Sequence, residues 1–348
     1  MLPVEVAKRI PLFEGFAPDE LEDISGMFGA AAFEAGACLV RQGQPADSAF
    51  ILGSGAADVI TALPGGGEAA VASLAAGSML GEMALLDCGV RSATVLARTP
   101  VQGYWIERDD FRALLAQRRP WAFELQRRIT LTLCRRLREL NEKIASHGAH
   151  GDLLPPFPEL PQAPLTRGRC AFDWRAFLPL LPAFRGFSAG ELDDFAARVE
   201  ALEAGRGASL FRQGDPANAC HVILRGAVEL SMTTGGARYR IGVLGPGRLC
   251  GVLALIERRA HGASAVARED TVLLALPRAD FTRIYEGHSR LAGRFHDAIN
   301  RELLQALART NNQLTRLISQ ARIRGGRRQM QQAEELQRML GQQECSAA

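Results

Sequence analysis

The chain has 348 residues, 47% of them hydrophobic and 23% charged, enough apolar side chain for two ordinary domains each with its own core. A net charge of +3, with acids and bases interspersed, sets up no field that would draw nucleic acid, so a nucleic-acid partner is not expected. Seven scattered cysteines without a C-x-x-C pair argue against a disulfide framework or a zinc site, and no leader precedes Pro11 and no apolar run reaches about 18 residues, so a soluble cytoplasmic protein with no metal and no membrane contact is expected.

Residues 1–36 read as helical, with an acidic-start helix from Pro18 to Met27 that carries Leu21 and Ile24 on one side. From Cys38 to about Ile106 the pattern changes to short strands split by turns, which predicts a barrel or jelly roll. Inside this region stands Gly81-Glu82-Met83-Ala84-Leu85-Leu86, continued by Asp87-Cys88-Gly89-Val90-Arg91-Ser92-Ala93-Thr94. Gly81 lets a backbone approach a ligand closely. The turn after it is expected to aim N–H groups and the positive end of a helix dipole at an anion. Arg91 supplies a charge-assisted contact to phosphate oxygens, and Ser92 adds a neutral donor beside it. Glu82 would repel a phosphate and so should face a neutral donor such as a ribose hydroxyl. The constellation reads as a pocket for a nucleoside cyclic monophosphate. The competing reading is a strand–turn–strand corner whose Glu and Arg pair on the surface.

These residues resemble the phosphate-binding cassette of the cyclic nucleotide-binding domain, the sensor domain of catabolite-activator and FNR-like regulators, gated channels and kinase regulatory subunits. The family pattern, Gly-Glu-(apolar)-Ala-Leu-(apolar), four variable residues, then Arg-(small)-Ala-Thr, is matched from Gly81 to Thr94. The resemblance implies a mainly β fold with flanking helices, an antiparallel β-roll with helices at both ends. It also implies that Glu82 holds the ribose 2′-hydroxyl, that Arg91 and Ser92, followed by Ala93, hold the cyclic phosphate, and that Met83 and Ala84 offer backbone N–H groups.

Residues 108–147 are predicted helical, with Pro120 where a first turn tolerates it. Ile129, Leu133, Leu137, Leu140 and Ile144 form a narrow stripe of the kind that seams a helix pair. The stretch from Leu133 to Ile144 resembles the dimer helix of catabolite-activator-type regulators, which implies a homodimer through the long helices and a base-edge contact from Asn141. Leu140 departs from the family's hydroxyl there, and an idle, exposed Asn141 fits the residues equally well. Gly148 to Gly168 carries Pro155, Pro156, Pro158, Pro161 and Pro164, a stiff linker.

After the linker the first half repeats. Pro182-Ala183-Phe184-Arg185-Gly186-Phe187 echoes Pro11-Leu12-Phe13-Glu14-Gly15-Phe16, and Phe211-Arg212-Gln213-Gly214 echoes Val40-Arg41-Gln42-Gly43. The expected organisation is therefore a first domain over 1–147, a linker over 148–170, a second domain over 171–320 with its own long helix from about Arg290, and an Arg/Gln-rich tail with a short helix over 321–348. The second cassette keeps Gly251 but puts Val252 at the place of Glu82 and His261 at the place of Arg91. That site reads as degenerate. Two rescues are conceivable, His261 protonated by a bound anion, or Arg258 and Arg259 reaching in from the loop.

No helix-turn-helix pattern follows either long helix, and no nucleophile, base and orienting group occur together, so neither DNA recognition nor catalysis is expected and no cofactor is implied. The reading is a bacterial-type receptor for cyclic AMP, ahead of cyclic GMP, that signals through a protein partner. Its rivals are a DNA-binding regulator with an atypical output surface, a cyclic dinucleotide receptor using Arg135, Arg136 and Arg138, and a scaffold with vestigial cassettes.

Overall fold

In Ala56–Ala62 the buried residues Ala57, Val59 and Thr61 alternate with half-exposed ones, the period-two signature of a strand with one wet face. The computed structural model describes residues 1–62, 68–86, 89–146, 153–154, 165–167 and 173–324. Two compact units are present, Met1–Thr132 with Leu307–Ala348, and Leu133–Ala306.

In the first unit, Gly29–Phe33, Val101–Glu107, Ser48–Ser54 and Met79–Leu80 form one antiparallel sheet in that hydrogen-bonded order. Cys38–Val40, Thr94–Ala97, Ala56–Ala62 and Glu68–Ala75 form a second. Phe50, Leu52, Val59, Val95 and Val101 fill the core of this roll. In the second unit the order Glu200–Ala204, Thr271–Pro277, Ala219–Arg225, Leu249–Cys250 reproduces the first sheet strand for strand. The order Ser209–Phe211, Ser264–Ala267, Val228–Thr234, Ala237–Leu244 reproduces the other. Helices flank each roll, among them Pro18–Gly26 and Arg108–Ala116 in the first and Ala189–Ala196 and Arg278–Tyr285 in the second. The mainly β, tandem roll expected from the repeat is thus observed.

Two expectations need correction. Residues 1–36 are not helical throughout, because Gly29–Phe33 is a strand. Its alanine-rich sequence carries no alternation, and it is strand only because Val101–Glu107 offers it a ladder. The proline-rich segment is not all linker: Leu153–Leu154 adds to Arg238–Tyr239 and Thr166–Arg167 adds to Leu202–Glu203. The remaining parts of that segment lie outside the described residues, as do Asp87, Cys88 and the tail from Gly325. The helix Pro120–Ser146 has Ile129, Leu133, Leu137, Leu140 and Ile144 buried, and Arg290–Arg324 buries Phe295, Ile299, Leu303, Leu307 and Leu314.

Candidate functional site

Arg91 is placed by its backbone before its side chain does anything. Pro45–Ala46 pairs with Gly89–Val90, and just beyond that ladder Arg91 N–H donates to Gln44 O (2.8 Å) while Gly43 N–H donates to Arg91 O (2.9 Å). The Gly-x-Pro-Ala-Asp turn, Gly43-Gln44-Pro45-Ala46-Asp47, therefore grips the arginine on both sides. Its side chain is only 9% exposed. Nη1 donates to Ser48 O (2.7 Å) and Nη2 to Ser48 Oγ (2.9 Å), with Asp47 Oδ1 3.5 Å away. Burial draws the guanidinium's pKa down and Asp47 opposes this, but a guanidinium has margin enough to stay charged. Of its five N–H donors, the described bonds use one on each terminal nitrogen.

Gly81 sits in the left-handed region at φ 74°. A Cβ there would stand 2.5 Å from Arg91 Nη1 and 2.9 Å from Ser48 O. The glycine thus does two things: it makes the turn, and it leaves the guanidinium its room. Glu82 follows at once and is buried, 4% exposed. A surface ion pair of low value is therefore not what this corner is. The turn itself differs from expectation. Glu82–Leu85 is a four-residue 3₁₀ turn, and Ala84 N–H closes it on Gly81 O (2.9 Å). So short an element has no macrodipole of consequence, and the Ala84 donor expected for a ligand is engaged inside the turn. The positive charge at this corner is that of Arg91.

Met83 lies half-buried on this turn, and Ser92 is exposed next to the arginine. The Ala93 methyl packs in the roll's core, which leaves only its backbone for a ligand. Gly81, Glu82, Met83, Ala84, Arg91, Ser92 and Ala93 all belong to the first unit, whereas Asn141, half-buried on the helix Pro120–Ser146, belongs to the second. Sequence reasoning missed Ser48 and Asp47 as partners of Arg91. The signal for them was the Gly-x-Pro-Ala-Asp turn, which ends on Asp47.

The second cassette keeps the frame and changes the contents. His261 N–H donates to Asp215 O (2.9 Å) and Gly214 N–H to His261 O (2.8 Å), repeating the grip on Arg91, and Gly251 takes φ 85°. At Gly251, however, an added Cβ would meet Phe211 Cε1 (3.2 Å) and His261 Cε1 (3.3 Å) in place of a guanidinium. The two rings stack at 3.7 Å between centroids, 8° from parallel. An uncharged plug fills the space that the first copy gives to a cation. Val252, where a carboxylate would be, is buried.

Burial pushes His261 down to about 4, with Arg138 lowering it further and Asp215 only partly opposing; burial, then His261, puts His221 at about 4 as well. Arg258 pairs with Glu286 at the surface (2.6 Å), and Arg259 is exposed. Because both imidazoles titrate near 6.5 once unfolded and near 4 in the fold, the unfolded chain binds more protons between these values. Stability is then fully present above about pH 6.5 and declines as pH falls toward 4. Urea unfolding from pH 7 to 4 is expected to show a shallower decline in His221→Gln/His261→Gln than in the wild type.

The family model described as "Cyclic nucleotide-binding domain" matches residues 31–118 and 202–288, which together make up half of the chain. A cAMP-dependent protein kinase regulatory subunit of Aspergillus niger is 35% identical over 108 residues, covering 31% of this chain and 26% of that protein. A cyclic AMP receptor protein of Thermus thermophilus is 38% identical over 101 residues, covering 29% of this chain and 47% of that one. Among solved structures, the regulatory domain of Toxoplasma gondii PKA with cAMP is 19% identical, covers 87% of this chain and 95% of its own, and gives a TM-score of 0.34. The chain thus spans from a quarter to about half the length of these curated relatives. Both matched regions fall on the two rolls, and each contains one cassette; this chain belongs to the cyclic nucleotide-binding domain family.

Proposed function

We propose that the first roll is a receptor for a cyclic mononucleotide, cyclic AMP ahead of cyclic GMP, and that the second roll takes no nucleotide. One observation carries this reading: a nine-tenths buried guanidinium set against a left-handed glycine, with a buried carboxylate next along the chain. Arg91 takes the cyclic phosphate, Ser92 assists from the rim, and Glu82 accepts from the ribose 2′-hydroxyl.

The geometry also suggests how occupancy is read out. Asp47 and Ser48, the partners of Arg91, sit in the same turn that anchors the helix Arg108–Ala116: Arg108 N–H donates to Asp47 O (2.8 Å) and Arg108 Nη1 to Ala46 O (3.1 Å). A phosphate that draws Arg91 from Ser48 competes for that turn and biases the helix. The ligand shifts the balance of two arrangements by its differential affinity. Output goes to a protein partner, in line with the kinase regulatory subunits among the relatives, and the protein acts as a cytoplasmic, non-catalytic regulator. No helix among the described residues is long and apolar enough to cross a membrane. The cyclic dinucleotide alternative loses ground, since Arg136 and Arg138 are buried and do not form one basic surface with Arg135.

Thermal unfolding with a panel of cyclic AMP, cyclic GMP and cyclic di-GMP tests the proposal. A mononucleotide at 100 times its dissociation constant should add about 2.7 kcal/mol to stability. A response to cyclic di-GMP alone, or to none of the three, overturns it.

A further inference from the structure

The second cassette is not merely empty of nucleotide chemistry; a side chain of the same compact unit is docked in it. Arg138, on the helix Pro120–Ser146, reaches the loop between the cassette turn and His261. Its Nε donates to Glu257 Oε2 (2.5 Å), Nη2 completes the ion pair with the same carboxylate, and Nη2 also donates to Ala260 O (3.3 Å). Both partners are sequestered, the Arg138 side chain 9% exposed and that of Glu257 2%. Glu257, Ala260 and Gly262 lie on a segment that matches the four variable residues of the first cassette and the motif residues after them.

Gly262 explains why the guanidinium fits. It occupies the place of Ser92 in the repeat, and a Cβ built on it would collide with Arg138 Nη1 and approach Cζ to 3.1 Å. The guanidinium stands where the motif's side chain would be. Two changes from the first copy therefore act together: a ring stack fills the anion hole from inside, and a deleted side chain opens the outer wall to an arginine. The helix that follows the second roll has Ala308 at the corresponding position, counted from Leu137 and Leu307, so the device exists in one copy only.

We propose that the second cassette is a socket for Arg138, a cassette whose ligand has become a guanidinium of the chain itself. An anion would meet no net positive charge there, because Glu257 already neutralises the arginine. The socket's natural occupant is a bidentate-capable cation with a carboxylate and a carbonyl as acceptors, which lysine satisfies poorly.

Hydrogen exchange on the full-length chain without nucleotide tests this, independently of whether the first cassette binds anything. Gly262→Ser restores the motif side chain and evicts the guanidinium, and Glu257→Gln removes its counter-charge. Each should speed exchange of peptides within 252–264 at least tenfold, while peptides from Ser48–Ser54 in the first roll keep their wild-type rates. The double variant should be no faster than the faster single one, since both act on one contact. Unchanged exchange in either single variant, or effects that multiply, overturns the proposal. Calorimetry adds a second reading: Arg138→Ala should bind cyclic AMP with the wild-type stoichiometry, and an additional site in that variant would show the arginine to be a latch over a live pocket instead.

Discussion

Arg91→Ala is expected to abolish measurable cyclic nucleotide binding while the roll stays folded. On the proposed reading the guanidinium is the cation that meets the phosphate, and its desolvation makes that interaction stronger than a surface contact would be. Truncating one side of such a buried charge contact costs about 2–5 kcal/mol, or roughly thirtyfold to a few thousandfold in affinity. Titration calorimetry measures it directly. Arg91→Lys keeps the charge but loses the fork that holds Ser48 O and Oγ together, so it should fall between alanine and wild type. His261→Ala in the second roll should leave affinity unchanged, because that ring faces Phe211 in a neutral stack. Equal losses from Arg91→Ala and His261→Ala would reverse the assignment of the two copies.

Gly81→Ala should damage both stability and binding, and the two costs can be separated. The residue holds φ 74°, where an L side chain is strained whatever space it has, by about 1–3 kcal/mol. Its new Cβ would also stand 2.5 Å from Arg91 Nη1 and 2.9 Å from the Ser48 carbonyl. The guanidinium end can swing away, but the backbone carbonyl cannot, so the arginine leaves its seat. Gly77→Ala supplies the comparison: it has φ 92° and nothing within 4 Å of an added Cβ. Denaturant unfolding should show a similar strain cost in both variants, with a further loss in Gly81→Ala only. Nucleotide affinity should collapse in Gly81→Ala and survive in Gly77→Ala. A Gly81→Ala protein that binds normally would mean that Arg91 does not need the space the glycine leaves.

Much of the candidate site was legible because its logic is local. Gly81, Glu82 and Arg91 lie within eleven consecutive residues, and a turn of this kind brings them together by short-range geometry. The duplication was legible for a related reason, since turn residues such as Gly43 and Gly214 must recur wherever the backbone recurs. What escaped was non-local. Gly29–Phe33 has strand character only through a partner 68 to 76 positions away. The Ala84 N–H looked available because a sequence does not say whether a short turn will be a 3₁₀ turn that uses that donor itself. Asp47 and Ser48 are ordinary residues until the ladder between Pro45–Ala46 and Gly89–Val90 sets them against Arg91.

The amino-acid sequence alone determined that there are two rolls, that one carries a glycine, an acid and an arginine at ligand-binding spacing, and that the other has lost two of the three. Only the tertiary structure decided what became of the second copy. A missing charge can leave a hole, a water site or a plug, and the choice depends on which side chains distant strands and helices deliver to that point. Here Phe211 arrives from one strand and Arg138 from a helix more than a hundred residues before the loop it enters. No pairwise pattern along the chain encodes that meeting; it follows from packing two sheets and a helix around one core.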